Sequence, residues 1–307
     1  MPDEQPTTHT VAITGATGLI GTALVAHLRM AGHIVRRLVR GAAKESGDIS
    51  WNPASGQLEP AALEGCTAVI NLAGEPIAQR WTREHKQAIV DSRLKATSLL
   101  AKTITAMAAK PQVMLSGSAI GIYGDRGDET VDERSSPGTD FLAEVAQKWE
   151  ASAEPAAAAG VRVAWLRTGI VLSPHGGALE KMLTPFKLGL GGPMGGGRQW
   201  ISWITLDDQV RAMTHLLTSG TRGPVNLVAP TPVTNAQFAE VLGEVLHRPA
   251  MLPVPRFALE LMFGEMADGT ILAGQRVRPR VLQESGFRFG HAELSEALRA
   301  MLSDHAA

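Results

Sequence analysis

Three glycines spaced three residues apart, Gly15, Gly18 and Gly21, lie between an apolar run at residues 11–14 and an amphipathic one at residues 19–30. The spacing of the apolar side chains predicts a short buried strand followed by a helix. Glycines at this spacing permit a tight turn, a close approach of a ligand to the backbone, and close packing of the helix on the sheet. The pattern therefore favours a dinucleotide-binding turn over a purely structural one, because the free N–H groups at the helix start attract phosphate. The residues expected to bind the dinucleotide here are Gly15, Thr17, Gly18, Leu19, Ile20 and Gly21.

Strand-like and helix-like segments alternate along the first half of the chain. Further buried strands are predicted at residues 34–39, 68–73, 113–115 and 161–172, and helices at 82–109 and 141–159. Such alternation is typical of a parallel sheet covered by helices on both faces. We predict an α/β fold with a Rossmann-type, doubly wound parallel sheet.

The second half of the chain differs from the first in having glycine-rich and proline-rich stretches. Six glycines fall within residues 189–197, and three prolines within 249–255. Strand-like runs at 200–204 and 225–228 need a sheet to join, so these stretches are interpreted as loops rather than linkers. Helices are predicted at 207–218, 235–247, 257–263 and 293–302. We expect a dinucleotide-binding domain at 10–175, with returning strands around 199–230, and a smaller, interleaved C-terminal substrate lobe at 176–307.

The residue that ends the second predicted strand bears on cofactor choice. A site specific for NAD places a carboxylate there to bind the ribose hydroxyls, whereas this chain has Arg40, with Arg36 and Arg37 close by. A guanidinium suits the 2′-phosphate of NADP(H) through paired, charge-assisted hydrogen bonds. We therefore expect NADP(H), and the alternative interpretation of Arg40 is a solvated surface arginine.

Charge and composition narrow the classes of partner. The 29 basic and 30 acidic residues give a formal net charge of −1, which provides no broad field for nucleic acid or an anionic membrane. A small-molecule substrate is favoured, and self-association as a homodimer is left open. Residues 1–10 lack the pattern of a signal peptide, and no apolar run is long enough to span a membrane, so we expect a cytoplasmic protein.

Metal and disulfide chemistry find little support in the sequence. The single cysteine, Cys66, cannot form an internal disulfide and is interpreted as a small buried residue. The nine histidines show neither the paired spacing of a helical zinc site nor an accompanying cluster of ligands. We expect no metal.

Several motifs resemble the extended short-chain dehydrogenases, the epimerase and dehydratase superfamily. The sequence reads TGATGLIG at 14–21 and NLAG at 71–74. Further motifs are similar to the atypical epimerase-like subfamily: SGSAIGIYG at 116–124, WLRTGIVL at 165–172, WISWITLDD at 200–208 and LAGQRVRPR at 272–280. The last of these, with Gly286 and Phe287, resembles the small closing domain of that subfamily, so the likeness spans nearly the whole chain.

The resemblance implies where the rest of the cofactor lies. It places Asn71, Leu72, Ala73 and Gly74 along the ribose and phosphate edge of the cofactor. It also places the stretch from Ser116 to Ser118 beside the nicotinamide, with Thr168 and Gly169 flanking the same ring. Taken alone, each of these residues also fits ordinary loop chemistry at the end of a strand. The carboxyl ends of parallel strands are nevertheless where such sheets bind ligands.

The usual catalytic pair of the superfamily is missing. That pair is a tyrosine followed four residues later by a lysine, whereas the matching helix here reads FLAEVAQKWE at 141–150. The candidates for moving a proton are Ser118, Tyr123 and Glu144. The alternatives are a strand-end hydroxyl for Ser118, a pocket wall for Tyr123 and a helix surface for Glu144, with Lys148 solvated beside it.

The substrate side is less defined. Trp81, Trp200 and Trp203 could form aromatic walls, and the loop at 189–198 could form a lid, but both fit plain core and turn as well. Arg167 and Arg198 could bind an anionic group or pair with local carboxylates.

Two functions from different classes follow. The first is an NADP(H)-dependent oxidoreductase or epimerase-like enzyme acting on a small carbonyl or alcohol. The alternative is a catalytically inactive, NADPH-binding regulatory protein, which the missing tyrosine–lysine pair favours; some members of the resembling family are linked to cell division.

Overall fold

The computed structural model describes residues 8–303, so most of the N-terminal stretch at residues 1–10 lies outside the described part of the chain. The strands are β1 (Thr10–Thr14), β2 (Ile34–Arg40), β3 (Ile49–Trp51), β4 (Ala68–Asn71), β5 (Val113–Ala119), β6 (Thr130–Val131), β7 (Arg162–Thr168), β8 (Ile170–Ser173), β9 (Trp200–Ile201), β10 (Trp203–Thr205), β11 (Gly223–Leu227), β12 (Val233–Thr234) and β13 (Arg276–Val277). The helices are α1 (Leu19–Met30), α2 (Arg83–Ala106), α3 (Phe141–Ala151), α4 (Glu154–Ala158), α5 (Gly177–Lys187), α6 (Leu206–Thr218), α7 (Asn235–Leu246), α8 (Arg256–Phe263), α9 (Arg280–Glu284) and α10 (Leu294–Leu302).

The main sheet has seven strands in the order β11-β7-β5-β4-β1-β2-β3, and every neighbouring pair is parallel. The strand order reverses between β1 and β4. In an open parallel sheet this reversal opens a crevice at the carboxyl ends of the strands, where ligands bind. The predicted doubly wound α/β fold is confirmed.

The two faces of the sheet are buried in separate cores. On one face Ile70 packs with Leu24 of α1 and Leu216 of α6. On the other, Val69 packs with Leu100 of α2 and with residues of α4. Since successive side chains of a strand point to opposite faces, a strand covered on both sides must be apolar throughout. Each such buried side chain contributes about 1.5–3 kcal/mol to folding.

A third core belongs to the second half of the chain. Phe186 of α5, Phe238 and Leu242 of α7, and Leu298 of α10 pack together there. Helix α7 begins with a capping box, in which Thr234 and Gln237 satisfy each other's backbone N–H groups. Strands β9 and β12 pair antiparallel beside this core.

The predicted strand at 161–172 is two strands. Strand β7 stays in the main sheet, whereas β8 leaves it and pairs with β10. Gly169 lies at the break, where a Cβ would come 2.5 Å from the Ser202 carbonyl oxygen. The chain therefore changes sheets at a point where only glycine fits. The predicted helix at 141–159 likewise divides into α3 and α4, with Pro155 in the first turn of α4.

The C-terminal segment is joined to the first half of the chain by backbone pairing. Strand β13 pairs parallel with β6. The Glu133 carboxylate, just after β6, accepts the backbone N–H of Asn226 at 3.0 Å and that of Val281 at 3.2 Å. Asn226 in turn donates its side-chain amide to the Arg278 carbonyl. Within residues 8–303, no helix is both long and apolar enough to cross a bilayer.

Candidate functional site

The glycine turn is closely packed where predicted. Gly15 has φ +65°, and a Cβ there would lie 2.6 Å from the Leu72 carbonyl oxygen. A Cβ on Gly21 would overlap the Gly15 carbonyl oxygen. Gly18 caps helix α1 without a side-chain hydrogen bond, so the first N–H groups of the helix are left for a ligand.

A cavity of about 430 Å³ lies at the carboxyl edge of the sheet, over this turn. It runs from the glycine turn to the ends of β5 and β7. The predicted residues that line it are Gly15, Gly18, Leu19, Ile20, Gly21, Leu72, Ser118 and Thr168. Gly117, within the stretch at 116–118 that the resemblance places beside the nicotinamide, lines it too. The structure adds Trp149, Ile170, Val171, Gly177 and Ala178, which were not predicted. We call this cavity the crevice.

The remaining predicted cofactor residues take other positions. Thr17 is exposed in the turn, and Gly74 is exposed in the loop after β4, following Ala73. Ser116 is fully buried, and its hydroxyl has no partner among the described residues. Gly169 lies against the Ser202 backbone, so its evident role is the change of sheets.

Asn71 anchors the end of β4 rather than lining the crevice. Its buried amide oxygen accepts the Thr14 hydroxyl at 2.7 Å, and its nitrogen donates to Thr97 at 2.8 Å. Thr97 also accepts the indole N–H of Trp149 at 2.8 Å. The Trp149 ring is thereby held so close to Gly117 that a Cβ there would lie 2.6 Å from it. This buried network fixes one wall of the crevice.

Ser118 takes part in a second polar network. Its hydroxyl donates to Glu150 Oε1 at 2.7 Å, and Arg167 donates to both oxygens of the same carboxylate. Burial alone would lower the pKa of Arg167, but the hydrogen bonds and charge of Glu150 outweigh it and raise the pKa. The arginine therefore remains charged and holds the carboxylate behind Ser118.

Tyr123 belongs to this network and does not line the crevice. The side chain is fully buried; its hydroxyl donates to Asn226 Oδ1 at 2.7 Å and accepts from Arg167 Nη1 at 3.0 Å. Burial raises the pKa of Tyr123 to about 12. With Glu150 and Arg167 it borders a second cavity, of about 250 Å³. These contacts favour the pocket-wall interpretation of Tyr123.

Glu144 lies on the outer face of α3. Its side chain is 59% exposed and lies 3.6 Å from the ammonium of Lys148, which is 62% exposed. The structure thus favours the helix-surface alternative for both residues, since neither reaches the crevice.

The three arginines of β2 differ in their contacts. Arg37 forms a two-point pair with Asp48, and Arg36 donates to the Glu64 carbonyl and to Cys66 Sγ. Arg40 is exposed at the carboxyl end of β2, and no described residue accepts a hydrogen bond from it. It is therefore the arginine of this strand that is free to meet a ligand.

The suggested substrate features are mostly structural. Trp203 is fully buried, Trp81 packs on Phe141, and Trp200 donates to Asp128. The glycine-rich loop at 189–198 contacts the proline-rich stretch at 249–255, where the Gly195 N–H donates to the Val254 carbonyl. These contacts favour core and turn over aromatic wall and lid.

Of the two arginines suggested as anion-binding groups, Arg167 pairs with a carboxylate, whereas Arg198 is exposed. Among residues 8–303, no group of three or more His, Cys, Asp or Glu side chains could hold a metal ion.

Sequence reasoning missed Glu150 and Trp149. Glu150 and Trp149 lie in α3, whose sequence reads as an ordinary amphipathic helix. The available signal was Gly117, because a glycine inside a strand indicates close approach by another group, and β5 extends past the predicted strand at 113–115 to include it.

Comparison with known proteins places this geometry in a family. A profile of the NAD dependent epimerase/dehydratase family matches residues 11–228, and one of a domain of unknown function, DUF1731, matches residues 254–301. The chain is 46% identical to the epimerase family protein Mb2239 of Mycobacterium bovis over 290 residues, covering 94% of this chain and 96% of the relative. It is 37% identical to the epimerase family protein YfhF of Bacillus subtilis over 300 residues, covering 96% and 98%.

Solved structures that are similar to this chain support the same family. The human epimerase family protein SDR39U1 (isoform 2), crystallised with NADPH, has a TM-score of 0.87 and 35% identity, covering 96% of this chain and 99% of that one. A nucleoside-diphosphate sugar epimerase from Corynebacterium glutamicum has a TM-score of 0.81 and 37% identity, covering 96% of this chain and 58% of that one. Because the first profile spans most of the chain and relatives of this identity cover nearly all of it, the chain belongs to the NAD dependent epimerase/dehydratase family.

Proposed function

We propose that this protein is an NADP(H)-dependent oxidoreductase or epimerase-like enzyme that acts on a small carbonyl or alcohol substrate. The observation that carries the proposal is the crevice, whose lining includes both the glycine turn and Ser118. A dinucleotide bound along the turn would extend toward the ends of β5 and β7. A polar group able to contact a substrate oxygen therefore lies at the far end of the cofactor site.

The residues present fit NADP(H). Gly18 is exposed over the uncapped start of α1, where a pyrophosphate can meet the backbone N–H groups. Arg40 offers an unpaired guanidinium to a 2′-phosphate at the end of β2. The human relative crystallised with NADPH supports the same cofactor for this chain. When bound, the cofactor would supply or accept the hydride.

The chain itself would orient the substrate and handle its oxygen. Ser118 is held by the Glu150 carboxylate, which Arg167 keeps in place. We propose that the Ser118 hydroxyl turns toward the reacting oxygen of the substrate, while Arg167 holds Glu150 in place behind it. Trp149 and Gly117 close the wall beside it and exclude water. Glu144 and Tyr123 have no direct part in this proposal.

The second half of the chain supplies the opposite wall. Gly177 and Ala178, at the start of α5, line the crevice, and Gly176 lies against Leu19 of the glycine turn. We propose that residues 176–307 form the substrate lobe, with the boundary to the dinucleotide-binding domain falling at this contact.

A regulatory, NADPH-binding protein without catalysis is the second candidate. It is favoured by the absence of an ionisable phenol or ammonium from the described residues that line the crevice. Under this proposal, cofactor occupancy would set the conformation of the lobe, and no substrate would react.

The test is calorimetric titration of the protein with NADPH and, separately, with NADH, followed by a turnover screen of carbonyl compounds. Preferred NADPH binding and one saturable substrate, with turnover lost in Ser118→Ala, would establish the enzyme. NADPH binding with no turnover of any compound would favour the regulatory candidate. Binding of neither nucleotide would refute both.

A further inference from the structure

A partly buried arginine with no carboxylate partner lies beside the crevice. Arg93, on α2, donates from Nη1 to the carbonyl oxygens of Glu75 at 3.0 Å and Ile89 at 3.2 Å. No described residue accepts a hydrogen bond from its Nε or Nη2, and no described carboxylate forms an ion pair with it. Since a guanidinium carries five N–H donors, three of them remain available.

This environment is unfavourable for a cation. Burial lowers the pKa of Arg93 to about 10, and the charge of Glu75 offsets only part of that effect. Arg167 shows the contrast, because its buried guanidinium is neutralised by Glu150. A buried charge is normally paired, so an unpaired one next to a residue that lines a ligand cavity suggests that the partner is a ligand.

Gly74 leaves the guanidinium accessible. A Cβ on this exposed glycine would lie 3.2 Å from the Arg93 Cζ and 3.3 Å from its Nη2. Any side chain at position 74 would therefore cover the free donors. Leu72, two residues before Gly74, lines the crevice.

Trp149 connects Arg93 to the crevice on the other side. The Arg93 guanidinium lies 5.0 Å from the centre of the Trp149 ring, in a cation–π contact. The same ring lines the crevice next to Gly117 and Ser118. Arg93 thus lies one side chain away from the place where a substrate would meet the cofactor.

We propose that Arg93 and the open backbone at Gly74 form a subsite for an anionic group of the substrate, either a carboxylate or a phosphate. The planar fork of a guanidinium matches both groups through two parallel hydrogen bonds. The inference rests on the proposed function, which it narrows to anionic carbonyl or alcohol compounds. It assigns Arg93 to the substrate and not to the cofactor.

Three variants and a control separate this role from general charge effects. Arg93→Gln removes the positive charge. Arg93→Lys keeps the charge but loses the planar fork of donors, and this variant replaces Arg93→Gln in the test if the glutamine variant is unstable. Gly74→Ala covers the donors without changing any charge. Lys102→Gln is the matched control, because Lys102 is an exposed residue of the same helix and loses the same charge.

The measurement is a titration with oxalate and, separately, with inorganic phosphate, which distinguishes carboxylate from phosphate recognition. Binding is followed by calorimetry and by the Nε–Hε NMR signal of Arg93, in both the cofactor-free and the NADPH-loaded protein. A failure of NADPH to bind would count against the proposed function alone, since the anion titration of the cofactor-free protein is independent of it.

We expect saturable binding of at least one anion with a shift of the Arg93 signal. Arg93→Gln should weaken this binding by about tenfold or more, as expected for lost charge-assisted hydrogen bonds. Gly74→Ala and Arg93→Lys should also weaken it, and Lys102→Gln should bind as the unmodified protein does. The proposal is overturned if neither anion binds saturably, if Lys102→Gln loses as much as Arg93→Gln, or if Arg93→Gln weakens NADPH binding and leaves anion binding unchanged.

Discussion

Arg167 and Glu150 form a two-point ion pair behind the crevice. Arg167 Nε donates to Oε1 at 2.8 Å and Nη2 donates to Oε2 at 2.9 Å, and the two side chains are only 10% and 12% exposed. Oε1 also accepts the Ser118 hydroxyl. The position of the Ser118 side chain therefore depends on a buried charge pair that the chain supplies from two different elements, β7 and α3.

We expect Glu150→Gln to be strongly destabilising. Removing one partner of a buried ion pair leaves the other charge uncompensated, at a cost of about 3–5 kcal/mol in the free energy of unfolding. Glu144→Gln is the matched control, because its pair with Lys148 is exposed and contributes about 0.5 kcal/mol or less. Urea unfolding of both variants measures the difference, and equal losses would contradict the buried pair.

Two glycines of the turn should differ in how much an added methyl group destabilises the protein. Gly21→Ala should lower both stability and NADPH affinity, because the added methyl overlaps the Gly15 carbonyl oxygen. Gly18→Ala should cost far less stability, since a Cβ there lies 3.5 Å from its nearest neighbour outside the adjacent residues. Thermal unfolding of the cofactor-free variants provides the comparison. Similar melting temperatures for the two would show that the turn relaxes around position 21.

Arg40→Asp should reverse the cofactor preference. The carboxylate would repel a 2′-phosphate and accept hydrogen bonds from the ribose hydroxyls, so NADPH binding should weaken and NADH binding strengthen. Arg222→Asp is the control, because this exposed arginine precedes β11 at the opposite edge of the sheet. Calorimetric affinities for both nucleotides give the ratio, and an unchanged ratio in Arg40→Asp would remove Arg40 from the site.

Glu133 should make stability depend on pH. Burial raises its pKa above the ordinary value of 4.5, although the backbone N–H groups of Asn226 and Val281 oppose this. Its Oε2 is buried without a partner among the described residues. A raised pKa in the folded state means that stability is greatest below the ordinary value and is lost as pH rises through the raised one.

Glu133→Gln cannot ionise, so its stability relative to the unmodified protein should increase as pH rises from about 4 to about 8. Urea midpoints measured across this range test the trend. Glu240→Gln, on the exposed face of α7, is the control for removing a carboxyl group from the surface. A constant difference for Glu133→Gln across the range would mean that the carboxyl group titrates as it does in the unfolded chain.

The sequence predicted the parts of the fold that depend on local pattern. Apolar runs and glycine spacing located β1, α1 and the turn between them. The break at Gly169 was missed because it depends on the approach of Ser202, which lies between β9 and β10 and is distant in sequence. Helix α5 was missed because it begins within a glycine pair, at Gly177, and contains Pro185.

The candidate site divides in the same way. The backbone contacts of the glycine turn could be predicted from the sequence. The roles of Glu150 and Arg93 depend on contacts with neighbours that are far away in sequence. Glu150 meets Ser118 across 32 residues, and Arg93 meets Trp149 across α2 and α3. Nothing in either helix sequence distinguishes these side chains from ordinary surface charges.

The backbone pairing of β13 with β6 determines how far the chain must extend for the polar network behind Ser118 to form. A protein that ended before residue 254 would lose the acceptor of the Asn226 amide and one of the two N–H groups bound by Glu133. Asn226 also receives the Tyr123 hydroxyl, so this truncation would reach the residues behind Ser118. The minimal fragment that retains the intact polar network therefore extends through Val281, well past the residues that line the crevice.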